Sequence, residues 1–145
     1  MTVSVRPLRT DDRSAWEVLA REYHAFYEEH FSNETYERVW SRLCESKEIH
    51  ALGAFAGTRL VGIVHYLFHA HVWQQDVCYL QDLFVDGNAR GRGAGRALIA
   101  HVEHAARERG ALRVYWTTKH DNDRARLLYD KVATYSGFIR YDRPV

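Results

Sequence analysis

The sequence predicts an α/β domain in which a mixed, mostly antiparallel central sheet is flanked by helices, in the order β-α-α-β-β-β-α-β-α-β. Segments with apolar residues at three-to-four residue spacing alternate with short β-branched and aromatic runs. Two of these runs, 51–56 and 59–68, are joined by Gly57-Thr58, which is typical of a hairpin. A glycine-rich link, 90–95, connects another run to a helical segment. Together these observations indicate strands and helices packed around one sheet.

The length, net charge and cysteines of the chain limit its possible domain organisation and partners. A chain of 145 residues is large enough for one domain with one core, here residues 1–145. A formal net charge of +1 gives no electrostatic argument for a nucleic-acid or membrane partner. The sequence also predicts no leader peptide and no spanning segment. Cys44 and Cys78 lack motif spacing, which indicates reduced thiols in a cytoplasmic protein.

The first part of the chain predicts one strand and two helices. The strand covers 3–6 and ends at Pro7. A helix capped at Thr10 or Asp11 should run to about residue 30, and a second should run from Ser32-Asn33 to about residue 46. Both show one apolar face, and its residues are Trp16, Leu19, Ala20, Tyr23 and Tyr27 in the first helix and Tyr36, Val39, Trp40 and Leu43 in the second.

The remaining elements follow the hairpin. A fourth strand is predicted at 77–85, and the glycine-rich link leads into a helix at 96–109 that ends at Gly110. A fifth strand should cover 113–117. A helix capped by Asp121 or Asn122 should reach about residue 133, and a last strand should cover 137–141.

The link Arg90-Gly91-Arg92-Gly93-Ala94-Gly95 is a candidate anion site. Glycines allow a close backbone approach, and the first N–H groups of the helix lack intrahelical partners. Two arginines and the positive end of the helix dipole then favour a pyrophosphate. The alternative is an ordinary tight connection between a strand and a helix. No Gly-Lys-Ser/Thr follows, and no downstream βα series supports a dinucleotide fold.

Two motifs carry a resemblance to a known family. Arg90, Gly93 and Gly95 form Arg-x-x-Gly-x-Gly, and Asn122, Ala125 and Tyr129 form Asn-x-x-Ala-x-x-x-Tyr. In this order the motifs resemble those of the GNAT N-acetyltransferase superfamily, and the predicted element order is similar to the GNAT fold over nearly the whole chain. Without the resemblance, Tyr129 reads as a core aromatic residue.

The resemblance implies an enzyme that moves the acetyl group of acetyl-CoA to an amine, without a metal. Tyr129 would act as the acid for the departing thiolate. A homodimer is also implied, and the short strand near 138–141 could pair between subunits. The implied coenzyme-binding residues are Leu83, Phe84, Val85, Arg90, Gly91, Arg92, Gly93, Ala94, Gly95, Arg96 and Asn122.

Two branches of the superfamily are similar in detail. Tyr79-Leu-Gln-Asp-Leu-Phe-Val resembles the diamine (spermidine/spermine) acetyltransferases, which carry Glu-Asp at the positions of Gln81 and Asp82. Tyr129-Asp-Lys-Val-Ala, followed by Ser136-Gly-Phe-Ile, resembles the small histone- and polyamine-acetylating branch known from yeast. Glutamine has no basic group. The role of the base that is proposed for the glutamate must therefore belong to another group here, or be absent.

Asp82 is the preferred candidate for that base, because an alkylammonium with a pKa near ~10.4 must lose a proton before it attacks. Asp82 could instead bind a second ammonium of the acceptor or be structural. Strand alternation predicts Asp82 on the face of Leu80 and Phe84. His120 is a rival base, although an exposed loop histidine is the more ordinary interpretation.

The acceptor is predicted to contact Tyr27, Glu28 and Gln81, where aromatic rings and a carboxylate suit a cation. The same helix residues also fit a simple amphipathic face. His69 and His71 could meet a metal from one strand face, but no cysteine or second carboxylate joins them, and no metal site is predicted.

The sequence therefore predicts an acetyl-CoA-dependent N-acetyltransferase that works by direct attack of a primary amine. A polyamine, lysine-like or amino-acid amine is the expected acceptor. Two alternatives remain, a protein or histone lysine acetyltransferase and a non-catalytic acyl-CoA-binding module.

Overall fold

The computed structural model describes residues 2–145. Its strands and helices are β1 (Val3–Pro7), α1 (Arg13–Phe26), α2 (Asn33–Glu45), β2 (Ile49–Ala56), β3 (Arg59–His69), β4 (Val77–Val85), α3 (Ala94–Arg109), β5 (Val114–Tyr115) and α4 (Asp123–Val132). Short 3₁₀ turns precede α1 and α3. No helix among the described residues is long and apolar enough to cross a membrane.

The sheet has the order β1-β2-β3-β4-β5, which confirms the predicted α/β class. All neighbouring strands are antiparallel except β4 and β5, which run parallel. These two strands pair only at Cys78 with Val114 and at Tyr79 with Tyr115. Beyond those pairs the strands separate, and the second half of β4 has no strand on that side.

Two apolar layers cover the two faces of the sheet. On one face α1 and α2 bury Trp16, Leu19, Trp40 and Leu43 against β2 and β3. On the other face α3 places apolar side chains against the sheet, and α4 adds to this layer from the side; the α3 residues are Leu98, Ile99, Val102 and Ala106. The separated strands lie between these layers.

A β-bulge at Gln81 changes the direction of the side chains in β4. Asp82 pairs with His65 and Leu80 pairs with Tyr66, so Gln81 has no partner in β3. The predicted placement of Asp82 on the face of Leu80 is therefore wrong. Leu80 lies in the layer under α3, whereas Asp82 contacts His65 on the α1 side. Unbroken alternation holds only where a strand keeps its register.

The predicted strand at 137–141 is also not formed. Residues 134–145 contain no helix or strand, and Phe138 and Tyr141 are 85% and 87% exposed. An alternating pattern becomes a strand only when a neighbouring edge completes its ladder, and this segment has none within the described chain. The fifth strand is likewise shorter than 113–117, because only Val114 and Tyr115 pair with β4.

The first helix ends at Phe26, four residues before the predicted end. The N–H of Glu28 donates to the carbonyl of Ala25, and the N–H of Glu29 donates to that of His24. Glu28 itself has φ of 57°. The chain therefore leaves the helix through a left-handed residue that is not glycine.

Candidate active site

A cleft of about 810 Å³ opens where β4 and β5 separate. The end of α1, the start of α3 and the inner face of α4 complete its walls. Many of the predicted site residues line it, and these are Tyr27, Gln81, Leu83, Phe84, Val85, Arg90, Gly91, Gly93, Ala94, Gly95, Arg96, Asn122 and Tyr129. Asp82, Arg92 and Glu28 are not among the lining residues.

The start of α3 forms one end of the cleft. Gly91 and Gly93 have φ of 78° and 86°, a backbone conformation that L side chains rarely adopt. Gly93 is the N-cap, and no side chain in the described chain caps this helix. At Gly95 an added Cβ would lie 3.3 Å from Leu128, so only a small residue lets α4 approach this closely. The first N–H groups of α3 thus point into the cleft and suit an anion.

Two arginines add positive charge there. The guanidinium of Arg90 donates from Nε to the carbonyl of Val85 at 3.1 Å and lies 5.7 Å from the ring of Phe84. Arg96 lines the cleft from the first turn of α3. Charged donors next to uncapped backbone N–H groups match the oxygens of a pyrophosphate. The residues present therefore fit the coenzyme that the sequence predicts.

Tyr129 reaches the middle of the cleft from α4. Its ring packs edge-on against Trp116 with the centroids 5.4 Å apart. Burial raises the pKa of the Tyr129 hydroxyl, so the phenol stays protonated and can donate a hydrogen bond. Asn122, at the start of the same helix, donates from Nδ2 to Thr118 Oγ1 at 3.2 Å. This contact joins α4 to the loop after β5.

Aromatic rings form the other end of the cleft. Tyr23 and Tyr27 contact each other with centroids 5.1 Å apart, and Tyr23 also packs against Phe84 at 6.0 Å. Phe26 is exposed at the rim. Glu28 is exposed on the turn after α1 and outside the lining, so the structure does not bring this predicted acceptor residue to the cleft.

Asp82 lies beside this aromatic end. His65 Nδ1 is 2.9 Å from Asp82 Oδ2, and the hydroxyl of Tyr23 interacts with the same carboxylate. Burial works against the charged form, but the hydrogen bond from His65, electrostatic attraction to the same ring, the bond from Tyr23 and attraction to His24 outweigh it and hold the pKa of Asp82 below its usual range. The group is therefore a carboxylate at neutral pH, with Tyr23 between it and the cleft.

The other candidate catalytic or metal-binding side chains do not line the cleft. His120 is exposed, and Arg126 Nη1 donates to its carbonyl at 2.8 Å. His69 contacts the hydroxyl of Tyr115, whereas His71 accepts from backbone N–H groups of its own loop, so the two histidines do not share a ligand. Burial raises the pKa of Cys78 to about 11, which disfavours a nucleophilic thiolate.

The sequence interpretation missed several lining residues. Trp116, Thr117 and Thr118 follow β5, and Arg124 and Lys131 lie on α4. It also missed that Trp16 and His65 support Asp82. A polar histidine between apolar residues in the middle of a strand was the available signal for His65, because such a residue needs a buried partner.

The sequence also matches a known protein family. Residues 15–135 match the model of the Acetyltransferase (GNAT) family. The chain belongs to the GNAT acetyltransferase family. As a GNAT N-acetyltransferase it takes its acetyl group from acetyl-CoA, which confirms the predicted enzyme class and cosubstrate. The glycine-rich start of α3 and Tyr129 both lie within the matched residues.

This GNAT protein is similar to curated enzymes along most of its length. It is 35% identical over 146 residues to the D-amino-acid N-acetyltransferase HPA3 of Saccharomyces cerevisiae, covering 97% of this chain and 90% of the relative. It is 28% identical over 88 residues to a thialysine N-epsilon-acetyltransferase of Caenorhabditis elegans, covering 61% and 55% of the two chains.

Solved structures share its fold. The aminoglycoside N-acetyltransferase AAC(6')-Iy, solved in complex with CoA, superposes with a TM-score of 0.86 over 99% of this chain and 95% of that one. The identity is 16%, so this likeness shows the GNAT fold alone.

Proposed function

We propose that this enzyme acetylates the primary amine of a small amino acid by direct attack on the thioester. One observation carries the proposal: a single cleft joins an anion-binding helix start to an aromatic end, where both a carboxylate and a lysine lie near Tyr27. Lys119 Nζ lies 5.6 Å from the ring of Tyr27, and Asp82 lies close enough to raise the pKa of the same tyrosine.

In this proposal the coenzyme binds at the end of the cleft formed by the start of α3. The uncapped N–H groups of α3, with Arg90 and Arg96, bind the pyrophosphate. Leu83 to Val85 offer an edge of β4 without a strand neighbour, and backbone amides of a ligand fit such an edge. Acetyl-CoA supplies an activated acetyl group there. Tyr129 donates a proton or hydrogen bond to the departing sulfur, and a β4 backbone N–H stabilises the charge on the carbonyl oxygen.

The aromatic end of the cleft, here called the acceptor end, binds the amine as an ammonium ion. Free amine is less than about 0.1% of an alkylamine at neutral pH, so the site must gather the cation and release its proton. A carboxylate whose pKa is held low is a weak proton acceptor but a lasting negative charge. We therefore assign to Asp82 the attraction of the ammonium, which is one of the three roles predicted for it. Water in the open cleft then carries the proton away.

A zwitterionic acceptor needs a cation for its carboxylate. Lys119 provides one next to Tyr27, whereas a polyamine would meet an unfavourable like charge there. The relative that is 35% identical over most of both chains is named as a D-amino-acid N-acetyltransferase, which supports the same acceptor class. We therefore place amino acids before polyamines and protein lysines.

A panel of amines tests the proposal. Thiol release from acetyl-CoA is measured with D- and L-amino acids, thialysine, spermidine, an aminoglycoside and a histone-tail peptide. We expect kcat/KM for the best amino acid to exceed that for spermidine by at least about tenfold, the value of one favourable charge contact. Amino-acid amides, which lack the carboxylate, are the matched control and should lose this advantage.

Each other outcome is informative. Preference for spermidine or the peptide would overturn the acceptor. Tight acetyl-CoA binding without turnover of any amine would favour the non-catalytic binding module.

We also propose a homodimer in which the segment after Ser136 pairs with a second copy. Phe138, Ile139 and Tyr141 are 85%, 70% and 87% exposed, an unusual state for three large apolar residues in one short segment. Full-length protein should show about twice the chain mass in light scattering, and a chain ending at Ser136 should show the mass of one chain. A monomeric full-length protein would contradict the proposal.

A further inference from the structure

A line of hydrogen bonds joins the core under α1 to the acceptor end of the cleft. Trp16 Nε1 donates to His65 Nε2 at 2.9 Å, and His65 Nδ1 lies 2.9 Å from Asp82 Oδ2. Trp16 is 1% exposed, so its indole is fixed in the core. The bulge at Gln81 turns Asp82 onto this face of the sheet. Neither Trp16 nor His65 lines the cleft, so both can act on an acceptor only through Asp82.

The chemistry of the three groups fixes the proton on His65. An indole N–H can only donate, so His65 Nε2 must accept and carries no hydrogen. The proton of the neutral ring then lies on Nδ1 and is donated to Asp82. A second proton on Nε2 would point at the N–H of Trp16, and two donors would face each other. The geometry therefore opposes an imidazolium at this position.

A neutral partner leaves the charge of Asp82 uncancelled. The surrounding groups are Tyr23, His24 and Tyr27 at the end of α1, Glu29 in the following loop, and Tyr36 on α2. Burial lowers the pKa of His24, which keeps that ring neutral as well. The negative charge of Asp82 acts on two tyrosines that line the cleft. It is the second-largest cause, after burial, of the raised pKa of Tyr23 and of Tyr27.

We propose that Trp16 and His65 are positioning residues that hold Asp82 as an uncancelled anion for the acceptor ammonium. Trp16 keeps His65 neutral, and neutral His65 orients the carboxylate without forming an ion pair with it. This inference rests on the proposed acceptor end of the cleft, and it makes the affinity for cationic acceptors depend on a tryptophan in the core.

A Trp16→Phe variant tests the first half. Without the indole N–H, no donor opposes a second proton on His65 Nε2, and the charged ring can pair with Asp82. We expect KM for the amine, relative to wild type at the same pH, to rise about tenfold at pH 6 and about twofold at pH 8. KM for acetyl-CoA should not change. Trp40→Phe is the matched control, because Trp40 is buried and packs 5.1 Å from Trp16. It should show no difference between the two pH values.

Variants of His65 test the second half and do not depend on the Trp16 variant folding. His65→Leu removes the donor to Asp82 and should raise KM for the amine about tenfold at both pH values. His65→Gln keeps one donor and one acceptor and should restore KM to within about threefold of wild type. Combining His65→Gln with Trp16→Phe should abolish the pH difference. If that difference persists, another group such as His24 causes it and the proposal fails.

A spectroscopic arm separates this inference from the proposed function. Nitrogen-detected NMR of the histidine rings should show His65 in the Nδ1-protonated neutral form in wild type at pH 6, and a several-fold larger imidazolium fraction in Trp16→Phe. Should no amine be turned over, the proposed function fails while this readout still decides the tautomer. An Nε2-protonated or charged His65 in wild type would overturn the inference.

Discussion

Replacing Tyr129 with phenylalanine is expected to lower kcat by about 100-fold or more, the usual contribution of a positioned acid. The ring remains against Trp116, so only the hydroxyl that we propose donates to the departing sulfur is lost. Because burial raises the pKa of this hydroxyl, wild-type activity should not decline from its ionisation below about pH 10. Steady-state kinetics across pH measure both effects.

The controls for this variant are a binding constant and a second tyrosine. The dissociation constant of CoA should remain within about twofold, because the interaction is made mainly as the thiolate leaves. Tyr135→Phe changes an exposed tyrosine just beyond α4 and should leave kcat unchanged. Unchanged turnover in Tyr129→Phe would reject the assignment of the acid.

Replacing Gly93 with valine should weaken acetyl-CoA binding about 100-fold. At φ of 86° a β-branched residue is strained, so the loop must rearrange and withdraw N–H groups from the pyrophosphate. Loss of one or two charge-assisted hydrogen bonds accounts for that factor. Calorimetric titration with CoA measures it directly.

Gly57→Val separates strain from binding. Gly57 has φ of 62° in the β2–β3 hairpin, and like Gly93 it has open space where a Cβ would stand. Both variants should lose thermal stability, but only Gly93→Val should lose affinity for CoA. Equal affinities in the two variants would mean that the loop does not bind the pyrophosphate.

The coenzyme end of the site was predictable because its chemistry is local. Positive φ at Gly91 and Gly93 and the uncapped start of α3 follow from consecutive residues. The spacing of Asn122 and Tyr129 likewise places both on one short helix. A sequence pattern is a good guide when all contributing residues lie within about two helical turns of each other.

The acceptor end was not predictable in the same way. The bulge at Gln81 depends on pairing with β3, and it separates Asp82 and Phe84 from Leu80, which was expected on the same face. The bonds from Trp16 to His65 and from His65 to Asp82 join residues far apart in sequence. The segment 137–141 shows a strand pattern but lacks a partner edge. Each failure concerns a contact that no local pattern determines.

The separation of β4 from β5 leaves a gap in the backbone ladder that a ligand's amides can complete. At the proposed site, coenzyme binding would extend the hydrogen-bond ladder of β4, and the native state would gain free energy from the occupant as it would from another strand. At a concentration 100 times the dissociation constant, a ligand that binds only the folded state stabilises it by about 2.7 kcal/mol. The lifetime of the protein against unfolding would accordingly follow the supply of acyl donor, so its abundance as well as its turnover would depend on the metabolic state of its surroundings.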